Sequence, residues 1–135
     1  MSGAALAEAA RALVGVPYVR NGRDPATGLD CLGVVAAALA AIGHKPALPI
    51  RSTLRRRNLP DLALIARDAG LRSVTGETIA GDVLLVRYGP LQWHALVAVG
   101  EARFVHAHAT LRRVVLGPAD PCWSPAAHWR LSTPA

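Results

Sequence analysis

The hydrophobic pattern of this chain changes at Gly81. Before Gly81, Ala- and Leu-rich segments have the spacing of amphipathic or buried helices; after it, short apolar runs separated by Gly, Pro and polar turns are typical of strands. Helices followed by strands predict an α+β domain, with N-terminal helices packed on a C-terminal antiparallel β-sheet of about five strands. The predicted helices are 5–14, 32–42 and 60–69, and the predicted strands are 82–88, 94–99, 102–109, 112–116 and 128–132.

The size and apolar content of the chain limit its class. A length of 135 residues predicts a single domain, 1–135, with its own core. The longest apolar stretch, 31–43, has the length of a buried helix, which predicts a soluble chain without membrane insertion. The N-terminus carries Glu8 and no basic leader, so we expect synthesis in the cytoplasm without a signal peptide.

The charge favours an anionic partner. The formal net charge is +6, and the basic residues are 14 Arg and one Lys. Guanidinium groups pair well with carboxylates and phosphates, so a cell-wall polymer or an acidic protein surface fits this composition. The densest basic segment, Arg51 to Arg57, is either a solvated loop or a docking site for an acidic partner. With no basic recognition helix and no interleaved aromatic residues, we expect no direct nucleic-acid recognition.

Cys31 stands where a loop becomes the second predicted helix, and Asp30 before it is a suitable N-cap. The helix dipole and the first-turn N–H groups predict a lowered thiol pKa and a site for an oxyanion. On position alone, a buried core cysteine is the more common explanation. With no CxxC motif, a disulfide framework or Cys-rich zinc knuckle is not expected, and the other cysteine, Cys122, is expected to be a spectator.

Two histidines complete a candidate constellation. His94 opens one predicted strand and His106 lies on the next, and a hairpin turning at Gly100 and Glu101 would place the two histidines directly opposite each other. An imidazole held by a second polar group is the base that a cysteine nucleophile needs. Because His108 shares a face with His106, zinc bound by the three histidines and Cys31 is the alternative.

Two blocks of sequence resemble the NlpC-type cell-wall peptidases, which are papain-like cysteine hydrolases of peptidoglycan stem peptides. The first block, AARALVGVPYVRNGRDPATGLDCLGVV, contains a G-x-PY motif and a Gly two residues before Asp-Cys. The second, GDVLLVRYGPLQWHALVAVGEARFVHAHA, contains a Gly-Asp before a strand, a strand-opening His and a second His twelve residues later. Together they cover about half the chain.

The resemblance implies a papain-like NlpC-type core and a role for each matching residue. Cys31 would be the nucleophile, His94 the general base and then acid, and His106 the residue that orients His94. Tyr18 of the G-x-PY motif would line the site and donate to the developing oxyanion, and Asp30 would contact an amine or amide of the substrate. The implied reaction is hydrolysis of the link between D-glutamate and the diamino acid of the stem peptide, with no cofactor or metal.

Further features resemble the branch of this family found with phage tails and gene transfer agents. They are Leu32 where the common form has Ser, room for an extra helix between the blocks, and the Trp-containing C-terminus CWSPAAHWRLS. The resemblance implies a virion component that meets tail or baseplate hub proteins and opens the cell wall locally for DNA delivery. It would act in the periplasm or wall after delivery by the particle. The alternatives are a structural tail or baseplate protein with little catalysis and, third, a zinc-dependent hydrolase.

The tryptophans have simpler expectations. Trp93 should point away from the face that carries His94, into the core. Trp123 and Trp129 are expected to anchor the C-terminal segment onto the body or to form a protein interface.

Overall fold

A computed structural model describes residues 3–44, 63–89 and 92–132, with only the backbone for 63–65. The Arg51 to Arg57 segment and the first part of the third predicted helix lie outside the described residues. The elements are α1 (Gly3–Arg11), β1 (Arg23–Asp24), β2 (Gly28–Leu29), α2 (Cys31–Ala41), α3 (Ala63–Asp68), β3 (Leu71–Ser73), β4 (Val83–Gly89), β5 (Gln92–Gly100), β6 (Arg103–His108), β7 (Arg113–Pro118) and β8 (Ser124–Leu131). None of the described helices is long and apolar enough to cross a membrane.

Six strands form one antiparallel sheet in the order β3-β8-β4-β5-β6-β7. The α+β class and all five predicted strands are confirmed, but the expected number of strands is one too low. The missed strand, β3, has only three residues and therefore shows no alternation in the sequence. Its partner is the C-terminal strand β8, which enters the sheet between β3 and β4.

The two faces of the sheet have different partners. On β5 the side chains of Trp93, Ala95 and Val97 belong to the main core, to which α1 and α2 contribute. The alternate residues Leu96 and Ala98 belong to a second, smaller cluster on the other face, with Val86, Phe104 and the partly buried Trp123. This alternation follows from the two-residue period of a strand, and it confirms the expected core position of Trp93.

Helix α2 is apolar throughout and is buried on most of its surface. Asp30 is its N-cap, as predicted, because the carboxylate accepts a hydrogen bond from the amide of Gly33 at 2.8 Å. A Cβ atom built at Gly33 would lie 2.1 Å from the carbonyl oxygen of Gly22. Glycine at this position therefore lets the first turn of α2 pack directly against the preceding loop and fixes where Cys31 stands.

Candidate active site

The β5–β6 hairpin sets the positions of the two histidines. Its turn is Glu101–Ala102, both with positive φ (57° and 56°), and Gly100 pairs with Arg103. The prediction of a turn at Gly100 and Glu101 was therefore wrong by one residue. A positive φ at both central residues is the requirement of a type I′ turn, which matches the twist of the strands.

A β-bulge next to this turn decides which way the histidines face. Between Gly100 and Ala98 the register shifts by one residue, so that Ala98 pairs with Phe104 and Val97 with Val105. Continuing the Gly100–Arg103 register without a bulge would place His94 and His106 on opposite faces of the hairpin. The extra residue on β5 thus restores a shared face.

His94 and His106 are neighbours but not direct cross-strand partners. If the register after the bulge is extended along the strands, His94 lies opposite His108 and His106 lies opposite Leu96. The predicted direct pairing of His94 with His106 was therefore wrong by two residues. Their proximity is nevertheless confirmed, because Nε2 of His94 lies 2.9 Å from Nδ1 of His106. The two rings are nearly perpendicular, at 89°, with centroids 4.9 Å apart. Because the hydrogen bond to His106 uses Nε2 of His94, Nδ1 of His94 can interact with a different group.

Cys31 reaches β5 where β5 and β6 separate. Among the described residues, the β5–β6 pairs begin at Val97 and Val105, while His106 and the residues after it pair with β7. The amide of Ala98 donates to Asp82 on the β4 side, so by alternation the amide of Ala95 points toward the β6 side. That amide is hydrogen-bonded to Cys31. Helix α2, which contacts both strands, thus places the thiol at the backbone of Ala95, the residue that follows His94.

The ionisation of Cys31 differs from the expectation. Burial, with a smaller contribution from the nearby carboxylate of Asp30, raises the pKa of the Cys31 thiol to about 12, against the hydrogen bonds from the backbones of Ala95 and Leu32. The predicted lowering was wrong because the side chain is fully enclosed at the helix N-terminus, where desolvation outweighs the favourable amides. The resting thiol is therefore protonated at neutral pH.

The two histidines are neutral in the same state. Burial, together with the charges of His106 and His108, lowers the pKa of His94 to about 3. Burial and His108 lower the pKa of His106 to about 4, against the opposing effect of Asp120. A thiol beside a neutral, hydrogen-bonded imidazole pair is the starting state for general-base activation of a nucleophile.

Asp30 is buried and has three hydrogen-bond donors around it. It accepts from the amides of Gly33 and Asn21 and from the guanidinium of Arg23, with which it forms an ion pair. These contacts hold the loop before α2 against the first turn of the helix. The predicted contact of Asp30 with substrate stays a prediction, since its N-cap role already accounts for its position.

Tyr18 borders Cys31, as the resemblance implies. Burial raises the pKa of the Tyr18 phenol, and the charges of Cys31, Asp30 and Tyr88 act in the same direction. A phenol with a raised pKa keeps its proton at neutral pH and remains a hydrogen-bond donor. Tyr18 can therefore donate to an oxygen bound beside the thiol.

The site residues line one open cleft with a volume of about 820 Å³. That size admits several residues of a peptide. All five residues named from the sequence line it, together with His108, Asp120 and Trp123. The lining includes Tyr18, Arg20, Asp30, Cys31, Tyr88, Gln92, His94, His106, His108, Asp120 and Trp123.

Two sets of contacts were not predicted from the sequence. The ring of Trp123 lies 5.1 Å from that of His106 and 6.0 Å from that of His94. Behind the sheet, the buried carboxylate of Asp82 accepts from Arg130 at 2.7 Å and lies 2.6 Å from Nε2 of His128. The Gly-Asp motif marks Asp82, but its partners are on β8, which pairs beside β4 only in the folded sheet.

The zinc alternative requires three or more ligands around one point. Within residues 3–44, 63–89 and 92–132, no group of three His, Cys, Asp or Glu side chains is placed to hold a metal ion.

Solved structures of NlpC/p60 proteins share this fold. The NlpC/p60 domain of the peptidoglycan hydrolase SagA is 25% identical with a TM-score of 0.66, over 98% of this chain and all of that chain. The peptidoglycan hydrolase RipB from Mycobacterium tuberculosis is 24% identical with a TM-score of 0.64, over 96% of this chain and 64% of that one. NlpC1 from Trichomonas vaginalis is 18% identical with a TM-score of 0.68, over 96% of this chain and 43% of that one.

No protein-family model matches the sequence, and no curated protein is significantly similar to it. The structural similarity supports the resemblance to the NlpC-type family found in the two sequence blocks. The structural similarity extends over the whole fold, since the alignments with these structures cover nearly all of this chain. Membership of the tail-associated branch stays a prediction.

Proposed function

We propose that this chain is a cysteine peptidase that hydrolyses an amide bond in peptidoglycan stem peptides. The observation that carries the proposal is the 2.9 Å contact between His94 and His106, in a cleft that Cys31 also lines. A nucleophile, a base and a group that orients the base are the parts of a papain-like hydrolase. The substrate class is supported by the fold, because two of the similar structures are peptidoglycan hydrolases.

The reaction begins with a neutral site. As the sulfur of Cys31 bonds to the substrate carbonyl carbon, Nδ1 of His94 takes the thiol proton, while His106 holds Nε2 of His94. The carbonyl oxygen becomes an oxyanion beside the first-turn N–H groups of α2 and the hydroxyl of Tyr18. Proton transfer during the attack removes the need for a preformed thiolate, which burial disfavours.

The second half of the reaction returns the site to its starting state. The carbon–nitrogen bond breaks as His94 gives its proton to the leaving amine, which leaves a thioester on Cys31. Water then attacks the thioester carbon and His94 takes a proton from it. Release of the carboxylic acid restores the thiol of Cys31 and the neutral imidazole.

We extend the proposal to the bond and the setting that the family resemblance implies. The bond is the link between D-glutamate and the diamino acid of the stem peptide. The setting is a phage tail or gene-transfer-agent particle, which carries the enzyme to the wall and brings it against tail or baseplate hub proteins. Leu32 and the C-terminal segment 122–132 support this setting through their resemblance to the tail-associated branch.

Cleavage of defined muropeptides tests the chemistry. Purified wild type, Cys31→Ala and the matched control Cys122→Ala are incubated with stem peptides of known sequence, and the products are identified by mass spectrometry. We expect wild type and Cys122→Ala to cleave equally, because Cys122 is exposed, and Cys31→Ala to be inactive. Iodoacetamide should abolish cleavage and EDTA should leave it unchanged.

Other outcomes contradict the proposal in different ways. Cleavage that is lost with EDTA and retained in Cys31→Ala would establish the zinc-dependent alternative. A folded wild type that cleaves no stem peptide would leave the structural tail role. The masses of the products identify the bond, and probing purified particles with an antibody against the chain tests the tail association.

A further inference from the structure

Trp123 covers the histidine pair from the face of the sheet opposite the helices. It lies in the connection between β7 and β8, and its ring is nearly perpendicular to that of His106, at 88°, with centroids 5.1 Å apart. The same ring lies 6.0 Å from His94 and 6.2 Å from Phe104. One indole thus contacts both imidazoles of the proposed site and the apolar cluster beside them.

The position of Trp123 is fixed at its backbone as well as its ring. The carboxylate of Asp120 accepts from the amide of Cys122 at 2.8 Å, and the carbonyl of Asp120 accepts from the amide of Trp123 at 3.0 Å. These two bonds close a turn that directs the indole onto the sheet. On the sheet it packs against the second cluster, in which its ring lies edge-on to that of Phe104.

The proposed reaction creates a positive charge close to this indole. When His94 takes the thiol proton, the His94–His106 pair becomes positive, in surroundings where burial already disfavours the charged form. The third member is a neutral imidazole, unlike the carboxylate of a Ser-His-Asp site, and the nearby carboxylate of Asp120 offsets the effect of burial on His106 only in part. The face of an indole within about 6 Å of a cation attracts it through the ring quadrupole.

We propose that Trp123 is a positioning residue of this site, which holds His106 against His94 and stabilises the protonated histidine pair. The proposal rests on the proposed function. It requires an aromatic ring at position 123 and not merely apolar volume, since only a ring has the quadrupole. Because Trp123 also lines the cleft, the proposal predicts an effect on kcat, whereas a role in substrate binding would appear in KM.

The kinetic test compares Trp123→Phe with Trp123→Leu on the same muropeptide. We expect Trp123→Leu to lower kcat about tenfold with KM within about twofold of wild type, and Trp123→Phe to keep at least about a third of the wild-type kcat. Equal kcat losses in the two variants, no loss in either, or an effect confined to KM would each overturn the proposal. Circular dichroism and thermal melting establish folding, and Trp123→Met replaces Trp123→Leu if the latter is unfolded at the assay temperature.

A second readout needs no substrate. In a Cys122→Ser background, the rate at which iodoacetamide alkylates Cys31 at fixed pH reports the ease of proton transfer to the histidine pair. Trp123→Leu should slow this alkylation about tenfold and Trp123→Phe should largely preserve it. If wild type cleaves no muropeptide but alkylation follows this pattern, the proposed function fails and the role of Trp123 stands. If wild type cleaves and the alkylation rates of the variants are equal, the role of Trp123 alone fails.

Discussion

Nε2 of His94 lies 2.9 Å from Nδ1 of His106, although the two residues are diagonal neighbours and not partners across β5 and β6. Diagonal positions on one face of an antiparallel pair are about 7 Å apart at the backbone, a distance that two imidazole rings can bridge. The contact occupies one nitrogen of His94 and directs the other, Nδ1, away from His106. The bulge beside Gly100 therefore contributes to the geometry of the site, because it places both histidines on the same face of the hairpin.

Replacing His106 tests its orienting role. We expect His106→Ala to lower kcat by about two to four orders of magnitude with little change in KM, because His94 loses the bond that fixes its ring. His106→Asn, which keeps a polar partner for His94, should retain more activity than His106→Ala. Steady-state kinetics on a muropeptide measures both effects.

His108 supplies the matched control for that experiment. It lines the same cleft, and its ring centroid lies 5.9 Å from that of His106. His108→Asn is expected to keep kcat within about threefold of wild type, because His108 takes no part in the proposed proton transfer. Comparable losses in His106→Ala and His108→Asn would refute a specific orienting role for His106.

The pH dependence of kcat/KM follows from the neutral resting site. The base must be unprotonated, and burial lowers the pKa of His94 to about 3 and that of His106 to about 4. Activity should therefore decrease only as the pH falls below about 4 to 5. Burial raises the pKa of Cys31 to about 12, so no decrease is expected on the alkaline side up to about pH 10. A bell-shaped profile with limbs near pH 6 and 8 would show instead that the free enzyme holds the charges of an ion pair.

The sequence predicted which elements meet at the site but not how they meet. Asp30 and Cys31 stand at a recognisable helix start, and a two-residue period is enough to assign Trp93 and His94 to opposite faces. The β5–β6 register was not predictable, because it depends on a turn with positive φ at Glu101 and on a one-residue bulge, neither of which has a glycine or asparagine at its centre to mark it.

Two further properties depend on tertiary packing. The thiol pKa could not be predicted from the position of Cys31 at a helix N-terminus, since the sign depends on how completely the surrounding side chains exclude water. The place of Trp123 follows from the turn between β7 and β8 and from its packing on Phe104. No periodic pattern extends into an irregular connection, so the sequence could assign this residue only to the general packing of the C-terminal segment.

The turn of the β5–β6 hairpin offers a test of stability. Glu101 and Ala102 both adopt a positive φ. This backbone conformation is unfavourable for residues other than glycine, asparagine and aspartate. The double substitution of Glu101→Asn and Ala102→Gly should raise the free energy of unfolding by about 1 kcal/mol. Gly100→Ala is the opposing control and should lower it, since Gly100 has a φ of +94°. Urea denaturation measures both, and a destabilised double variant would contradict the role of the turn.

Asp82 should make stability depend on acid pH. Burial alone would raise its pKa, but hydrogen bonds from Arg130, Ile79 and His128 together hold the pKa of the folded carboxyl below its usual range. The stabilisation is then complete above the unfolded pKa of about 3.9 and is lost as the pH falls through the lower folded pKa. Asp82→Asn should cost about 2 kcal/mol at pH 7 and flatten the decline below pH 4.

Glu77 is the matched control for the acid experiment, because its side chain is exposed and only its backbone carbonyl accepts from Arg130. Glu77→Gln should leave the free energy of unfolding within about 0.5 kcal/mol of wild type at pH 7. Urea denaturation at a series of pH values measures both variants. If Asp82→Asn retained the full acid dependence of wild type, the effect would have to arise from other carboxylates.

Tyr18→Phe tests whether the phenol acts on the transition state. The substitution keeps the ring and removes the donor that the raised pKa of Tyr18 keeps protonated, so kcat should fall by about ten- to a hundredfold with KM nearly unchanged. Tyr88→Phe is the control: Tyr88 lines the same cleft and packs edge-on against His94 at 5.7 Å, a contact that phenylalanine preserves. We expect that variant to stay within about threefold of wild type. An equal loss in both variants, or a loss in Tyr18→Phe that appears only in KM, would assign Tyr18 to substrate binding and leave the oxyanion to the amides of α2.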